Sequence, residues 1–261
     1  MISLKELLNI EINESKITKE KALSAFMKSF DPDQLPSEEK FQEYVTIDGN
    51  ESTGFVINYN GWYCPRKGAK TLVSPYYTLG DIDLVWLYKC NNMASLEGAP
   101  KKVREFIIEG CSKITSLEGL EHSDIEELNL RELPKLSSFK GCPKKLQEFS
   151  YRPHRFQPSM RNLEGLPKRI EGEFYVCGAF QTKSLEGMPE EIGGDFSCDV
   201  YDFNKGSLPK RIEGDAWIQF WGRDLDPTQY GLEYIGGDFK TNRFDAFANS
   251  DVKIGGRLIK G

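Results

Sequence analysis

One phrase recurs along this chain. "SLEGAPKKV" at residues 95–103 returns as "SLEGLEHSDI", "SFKGCPKKL", "NLEGLPKRI", "SLEGMPEEI" and, shortened, "GSLPKRI". The apolar residue that closes each copy gives the series Val103, Ile125, Leu146, Ile170, Ile192 and Ile212, which extends back to Ile82 and forward to Ile235 and Ile254. Successive spacings are 21, 22, 21, 24, 22, 20, 23 and 19 residues. Units this short exclude tetratricopeptide, ankyrin and WD40 architectures and require a stacked solenoid, because one unit cannot bury its apolar face alone.

The interior of each unit sharpens this. From Ile82 the apolar or small positions are Val85, Leu87, Cys90, Met93, Leu96 and Ala99; from Val103 they are Phe106, Ile108, Cys111, Ile114, Leu117 and Leu120. A third unit runs Ile125, Leu128, Leu130, Leu133, Leu136, Phe139, Cys142. A pair two residues apart puts both side chains on one face of a short strand, and the following spacings of three suit a tight turn or helical return. From Ile170 onward the form changes to "IEGEFYV", "IGGDFSC", "IEGDAWI", "IGGDFKT" and "IGGRLIK". One extra residue stands before the inward pair, with a glycine third, where the backbone must turn sharply or approach its neighbour.

Written out, LxxLxLxxCxxLxxLxxL resembles the leucine-rich repeat over residues 81–261, and the LEGxP…IxGDF style resembles the short repeats encoded in tailed-bacteriophage and some bacterial genomes. The resemblance implies an α/β solenoid of about eight short coils with a parallel concave sheet, N-terminal helices and a β cap. By fold-level analogy it implies a non-enzymatic protein-binding scaffold, and in its phage form an accessory protein that binds and inhibits a host defence protein. The cysteine ubiquitin-ligase domain that follows some bacterial solenoids is not expected, since residue 261 lies within a repeat. The unit after Leu146, "LQEFSYRPHRFQPSMRN", departs from the pattern, and Pro153 and Pro158 predict a bulged return there.

The first eighty residues do not repeat. Leu4, Leu7 and Leu8, then Ala22, Leu23, Phe26, Met27 and Phe30, fall at helical spacing, and "SEEKFQEYV" offers a further helix with Ser37 as N-cap. "YVTIDGNESTGFVINYNGWYC" alternates about a DGN break, which predicts a hairpin shielding the first coil. The division is therefore 1–45 helical, 46–80 β-hairpin cap and 81–261 solenoid.

Charge and composition narrow the function. A net charge of −6 disfavours nucleic acid and anionic membrane as partners. No long apolar run and no secretory leader stand in the sequence, so a cytoplasmic location is expected, the host cytoplasm if the chain is phage-encoded. Cys64, Cys90, Cys111, Cys142, Cys177 and Cys198 form no CxxC pair, and read as reduced and structural. His122 and His154 have no nucleophile setting, there is no Walker loop, and the paired glycines at 193, 236 and 255 recur once per coil. No cofactor or metal is expected, and no enzyme; an active site in the first eighty residues is the remaining enzymatic alternative, and a self-assembling structural repeat is the other.

Placing residues on the strands yields three outward columns. The first reads Leu84, Glu105, Glu127, Glu148, Glu173, Asp195, Asp215, Asp238, a run of carboxylates that must be offset by the basic pairs just upstream (Lys101–Lys102, Lys144–Lys145, Lys168–Arg169, Lys210–Arg211), by turn amides, or by a basic partner. The second reads Trp86, Ile107, Asn129, Ser150, Tyr175, Ser197, Trp217, Lys240, and the third begins Tyr88, Glu109, Arg131, Arg152, with Gln219 further along. Trp86, Tyr88, Ile107, Arg131, Arg152, Glu173, Tyr175, Asp195, Asp215, Trp217, Gln219, Asp238 and Lys240 are the expected protein-binding set, with Trp217 as apolar anchor and the acids facing a basic surface. For Trp86 and Trp217 the alternative is cover by the chain's own N-terminal segment. The last unit, "VKIGGRLIKG", predicts an open strand edge, so a monomer or a small homo-oligomer through that edge is expected.

Overall fold

The structure, a computed structural model, describes residue 7 and residues 17–153, 160, 162–177, 184–200, 206–221 and 227–261. Helix α1 (Lys19–Ser29) is capped by Thr18, whose hydroxyl accepts from the Lys21 amide, and buries Ala22, Phe26 and Met27. Helix α2 (Glu38–Tyr44) begins at Ser37, which accepts from the Lys40 amide at 3.3 Å as expected of an N-cap. Both pack on the hairpin of β1 (Val45–Asn50) and β2 (Gly54–Tyr63). Phe26 sits at the centre of this plug, with ring centroids of Phe30, Tyr63, Tyr77 and Tyr59 at 5.0–5.8 Å. Burial, ahead of neighbouring charge, pushes the Tyr63 phenol well above its ordinary range. The cap is continuous with the solenoid, because β2 pairs antiparallel with β1 on one side and parallel with β3 (Thr78–Tyr88) on the other.

Beyond the cap the chain is a β-solenoid of about eight coils. Strands β4 (Lys102–Glu109), β5 (Asp124–Arg131) and β6 (Glu148–Arg152) follow β3 in parallel, with Val103, Ile125, Phe106, Leu128, Ile108 and Leu130 buried. The inserted residue then splits each strand in two. The anchor halves β7 (Arg169–Ile170), β9 (Glu191–Ile192), β11 (Arg211–Ile212), β13 (Tyr234–Ile235) and β15 (Lys253–Ile254) form a separate five-stranded sheet. The inward-pair halves β8 (Phe174–Val176), β10 (Phe196–Val200), β12 (Ala216–Phe220), β14 (Phe239–Thr241) and β16 (Leu258–Lys260) continue the main eleven-stranded sheet. Phe149, Phe174 and Phe196 stack through the core at 5.4 and 5.7 Å.

The recurring phrase has a packing cause. Gly119 has φ +106°, and a Cβ there would fall on the Leu96 carbonyl carbon of the coil below. Only glycine satisfies both the left-handed backbone and the close approach. Cysteine at the end of the inward run also links coils, since Cys111 Sγ donates to the Leu87 carbonyl of the preceding coil at 3.2 Å. All six cysteines are free, and all but Cys177 are buried.

The returns differ from the helical alternative. Among the described residues of the solenoid they are tight turns, with one helix, α3 (Phe244–Ala248), and one 3-10 turn, Pro227–Tyr230. The bulge expected around Pro158 lies outside the described residues, as does His154. Leu84 departs from its expected place: at an outward register between Trp62 and Glu105 it is nevertheless buried. No helix among the described residues is long and apolar enough to cross a membrane.

Candidate interaction face

The main sheet carries the three outward columns in the expected register, so Tyr175, Ser197 and Trp217 are direct cross-strand neighbours. The acidic column is real, but its charges are handled in two ways. In the unsplit coils Arg104, which the sequence reading passed over, reaches Asp83 at 2.8 Å, Glu127 at 3.4 Å and Glu105 at 3.8 Å. Asn129 adds a hydrogen bond to Glu105 at 3.1 Å. Burial first, and then the charges of Glu105 and Glu148, still hold the Glu127 carboxyl above its ordinary range.

In the split coils each aspartate accepts a backbone hydrogen bond from the same position one coil on. The Asp215 amide donates to Asp195 Oδ1 at 2.8 Å, that of Asp238 to Asp215 Oδ1 at 2.7 Å, and that of Arg257 to Asp238 Oδ1 at 2.8 Å. The inserted residue adds an amide per coil, and the aspartate supplies its acceptor. At the last coil Arg257 replaces the acid and closes on Asp238, its Nη2 2.6 Å from Oδ2, which pulls the Asp238 carboxyl below its ordinary range.

Compensation by the upstream basic pairs therefore needs correcting. Arg169 engages Glu171 and Glu191, Arg211 engages Glu213, and Lys168 and Lys210 both engage Glu190. Glu191 lies on β9 and Glu171, Glu190 and Glu213 directly flank β7, β9 and β11, so these basic pairs engage acids of the smaller sheet and its edges rather than the acidic column.

Aromatic groups mark both ends of the face. Near the cap, Trp86 is half-buried and packs at a tilt of 48° against Tyr88, ring centroids 5.1 Å apart, with Lys89 over the Tyr88 ring. Trp86, Trp62, Leu35 and Pro36 line one cleft of about 670 Å³, so Trp86 opens onto a cleft shared with the N-terminal segment. Trp62, missed in the sequence although the hairpin's period of two places it outward, is 64% exposed. In the later coils Trp217 is 50% and Trp221 58% exposed, on the same face of one run with half-buried Gln219 between them. Trp221 Nε1 donates to Asp199 Oδ1 at 3.3 Å. The alternation W-I-Q-F-W was the signal that could have found it.

Cations lie on two of these rings: Arg152 over Tyr175 at 4.9 Å and Lys240 over Trp217 at 4.8 Å. Ile107 is half-buried, as is Arg131, whose Nε is fully buried and has no hydrogen-bond partner among the described residues. Glu173, Asp195 and Asp215 are exposed and Asp238 is half-buried. His122 lies exposed away from these groups, and no cluster of three or more His, Cys, Asp or Glu suited to a metal occurs among the described residues. No protein-family model, curated protein or solved structure matches the chain.

Proposed function

We propose that this protein is a non-enzymatic scaffold of the leucine-rich repeat type that binds a protein on its concave face, in coils five to eight. The supporting observation is the pair Trp217 and Trp221, large apolar rings held in solvent on a rigid sheet while every neighbouring inward position is filled. Such rings dominate interface energetics, and a pre-formed solenoid loses little freedom on binding. The resemblance of its repeats to phage-encoded ones suggests the narrower form of this reading, an accessory protein that blocks a host defence protein. Glu173, Asp195 and Asp215 beside Tyr175 and Trp217 favour a basic partner surface.

The decisive experiment is affinity purification of the partner, followed by kinetics with variants of native circular dichroism. Trp217→Ala is expected to weaken binding by about thirtyfold, mainly through faster dissociation. Asp195→Asn with Asp215→Asn is expected to slow association and flatten its salt dependence, since exposed charges act mainly on encounter. Undiminished binding by both Trp217→Ala and Trp221→Ala would move recognition off this face.

A further inference from the structure

The second outward column contains a slot. Tyr175 on β8 and Trp217 on β12 both pair with Ser197 on the strand between them, so two aromatic side chains flank one short one. Each ring also carries a cation. Arg152, from the coil before Tyr175, lies over the Tyr175 ring, and Lys240, from the coil after Trp217, lies over the Trp217 ring. Both cations stand on strands outside the Tyr175–Ser197–Trp217 set. Two strand spacings separate the ring-bearing strands by about 9.6 Å. A planar group in contact with both rings needs about 7 Å, and a modest lean of either side chain closes the difference.

The slot has a charge as well as a shape. On the Ser197 strand the outward residues to either side are Asp195 and Asp199, so its floor runs carboxylate, hydroxyl, carboxylate along β10 and the residue before it. Cys177 Sγ lies 3.2 Å from Ser197 Oγ and completes that floor. Burial makes both Tyr175 and Cys177 harder to ionise, in Cys177 against hydrogen bonds from Ser197 and Tyr175. Two carboxylates beside two aromatic walls are a setting in which a flat cation is held by ring faces and carboxylates together.

Deepening the proposed concave-face binding, on which it rests, we infer that the slot over Ser197 receives an arginine side chain of the partner protein, its guanidinium between Tyr175 and Trp217 and its charge facing Asp195 and Asp199. Lysine fits less well, because its ammonium has no plane to place against two rings.

The experiment needs no identified partner. N-acetyl-arginine methylamide, its citrulline isostere and N-acetyl-lysine methylamide are titrated into the ¹⁵N-labelled full chain, following the Trp217 indole resonance. The arginine compound is expected to shift it saturably, the citrulline compound to bind at least about tenfold more weakly, and the lysine compound to fall between. Ser197→Leu, which fills the slot from an outward position, is expected to abolish the shift. Asp199→Asn, which keeps an acceptor for Trp221 Nε1, is expected to weaken arginine several-fold while leaving citrulline unchanged. Equal binding of arginine and citrulline, a saturable shift persisting in folded Ser197→Leu, or no saturable shift with arginine each overturns the inference. If arginine fails while Trp217→Ala still weakens the purified partner, the slot is wrong and the concave-face reading stands.

Discussion

In the coils built on β4, β5 and β6, two residues separate the anchor from the next inward side chain; from Ile170 onward, three do. That single residue changes what an acid in the first outward column is for. Glu105 and Glu127 stand on continuous strands whose backbone is already paired, so their carboxylates repel one another and rely on Arg104. Asp195, Asp215 and Asp238 stand at a break, where each coil has one more amide to satisfy, and their shorter side chains reach it. The same column of charge is a tolerated cost in one half and part of the stacking bond in the other. The glycines beside Asp215 and Asp238 follow from this: a Cβ at Gly214 would fall on Asp195 Oδ1, and one at Gly237 on Asp215 Oδ1.

The largest expected effect tests that last point. Gly237→Ala should destabilise by about 3 kcal/mol, because it both crowds the coil below and displaces the carboxylate that holds the Asp238 amide. Denaturant melts measure it, and a cost below about 1 kcal/mol would show that the ladder can shift without loss.

Next comes the contrast between halves. Asp215→Ala leaves the Asp238 amide without its acceptor and should cost about 1–3 kcal/mol, whereas Asp215→Asn keeps an acceptor and should cost about 0.5 kcal/mol or less. Glu127→Gln should be neutral or slightly stabilising, since it removes a carboxylate crowded by Glu105 and Glu148. Equal costs for Asp215→Ala and Glu127→Gln would erase the distinction.

Arg104→Ala should cost no more than about 1 kcal/mol, since its partners are partly exposed, and the cost should shrink in high salt. An Arg104 effect insensitive to salt would mean packing rather than charge.

The smallest effect is in pH, where Glu127 and Asp238 of the acidic column should differ in sign. Glu127 is raised in the folded chain, so it binds its proton more tightly than in the unfolded one; its contribution falls as pH rises through the carboxylate range. Asp238 is lowered, chiefly by the Arg257 side chain, so its contribution is present above the unfolded value and is lost as pH falls through the folded one. Acidification should therefore loosen hydrogen-exchange protection of the amides around Asp238 and Arg257 more than of those around Glu127. Uniform loosening would contradict the assignment.

Much of this molecule was written in its sequence by itself. Period two within each unit and a return that cannot bury itself dictate a stacked parallel solenoid, and the hairpin about DGN dictates a sheet cap. The columns carrying Tyr175, Trp217 and the acids follow from alternation alone, because strand geometry leaves a side chain two faces and no third. What the tertiary structure decided is what those residues meet. Which acid accepts an amide and which needs Arg104, which basic pair turns to the smaller sheet, and which cation lies over each ring all depend on contacts between coils 19–24 residues apart. Leu84 shows the limit best: its register is outward and its side chain is buried, because burial is a property of neighbours, and the sequence orders neighbours along the chain while the stack orders them across it.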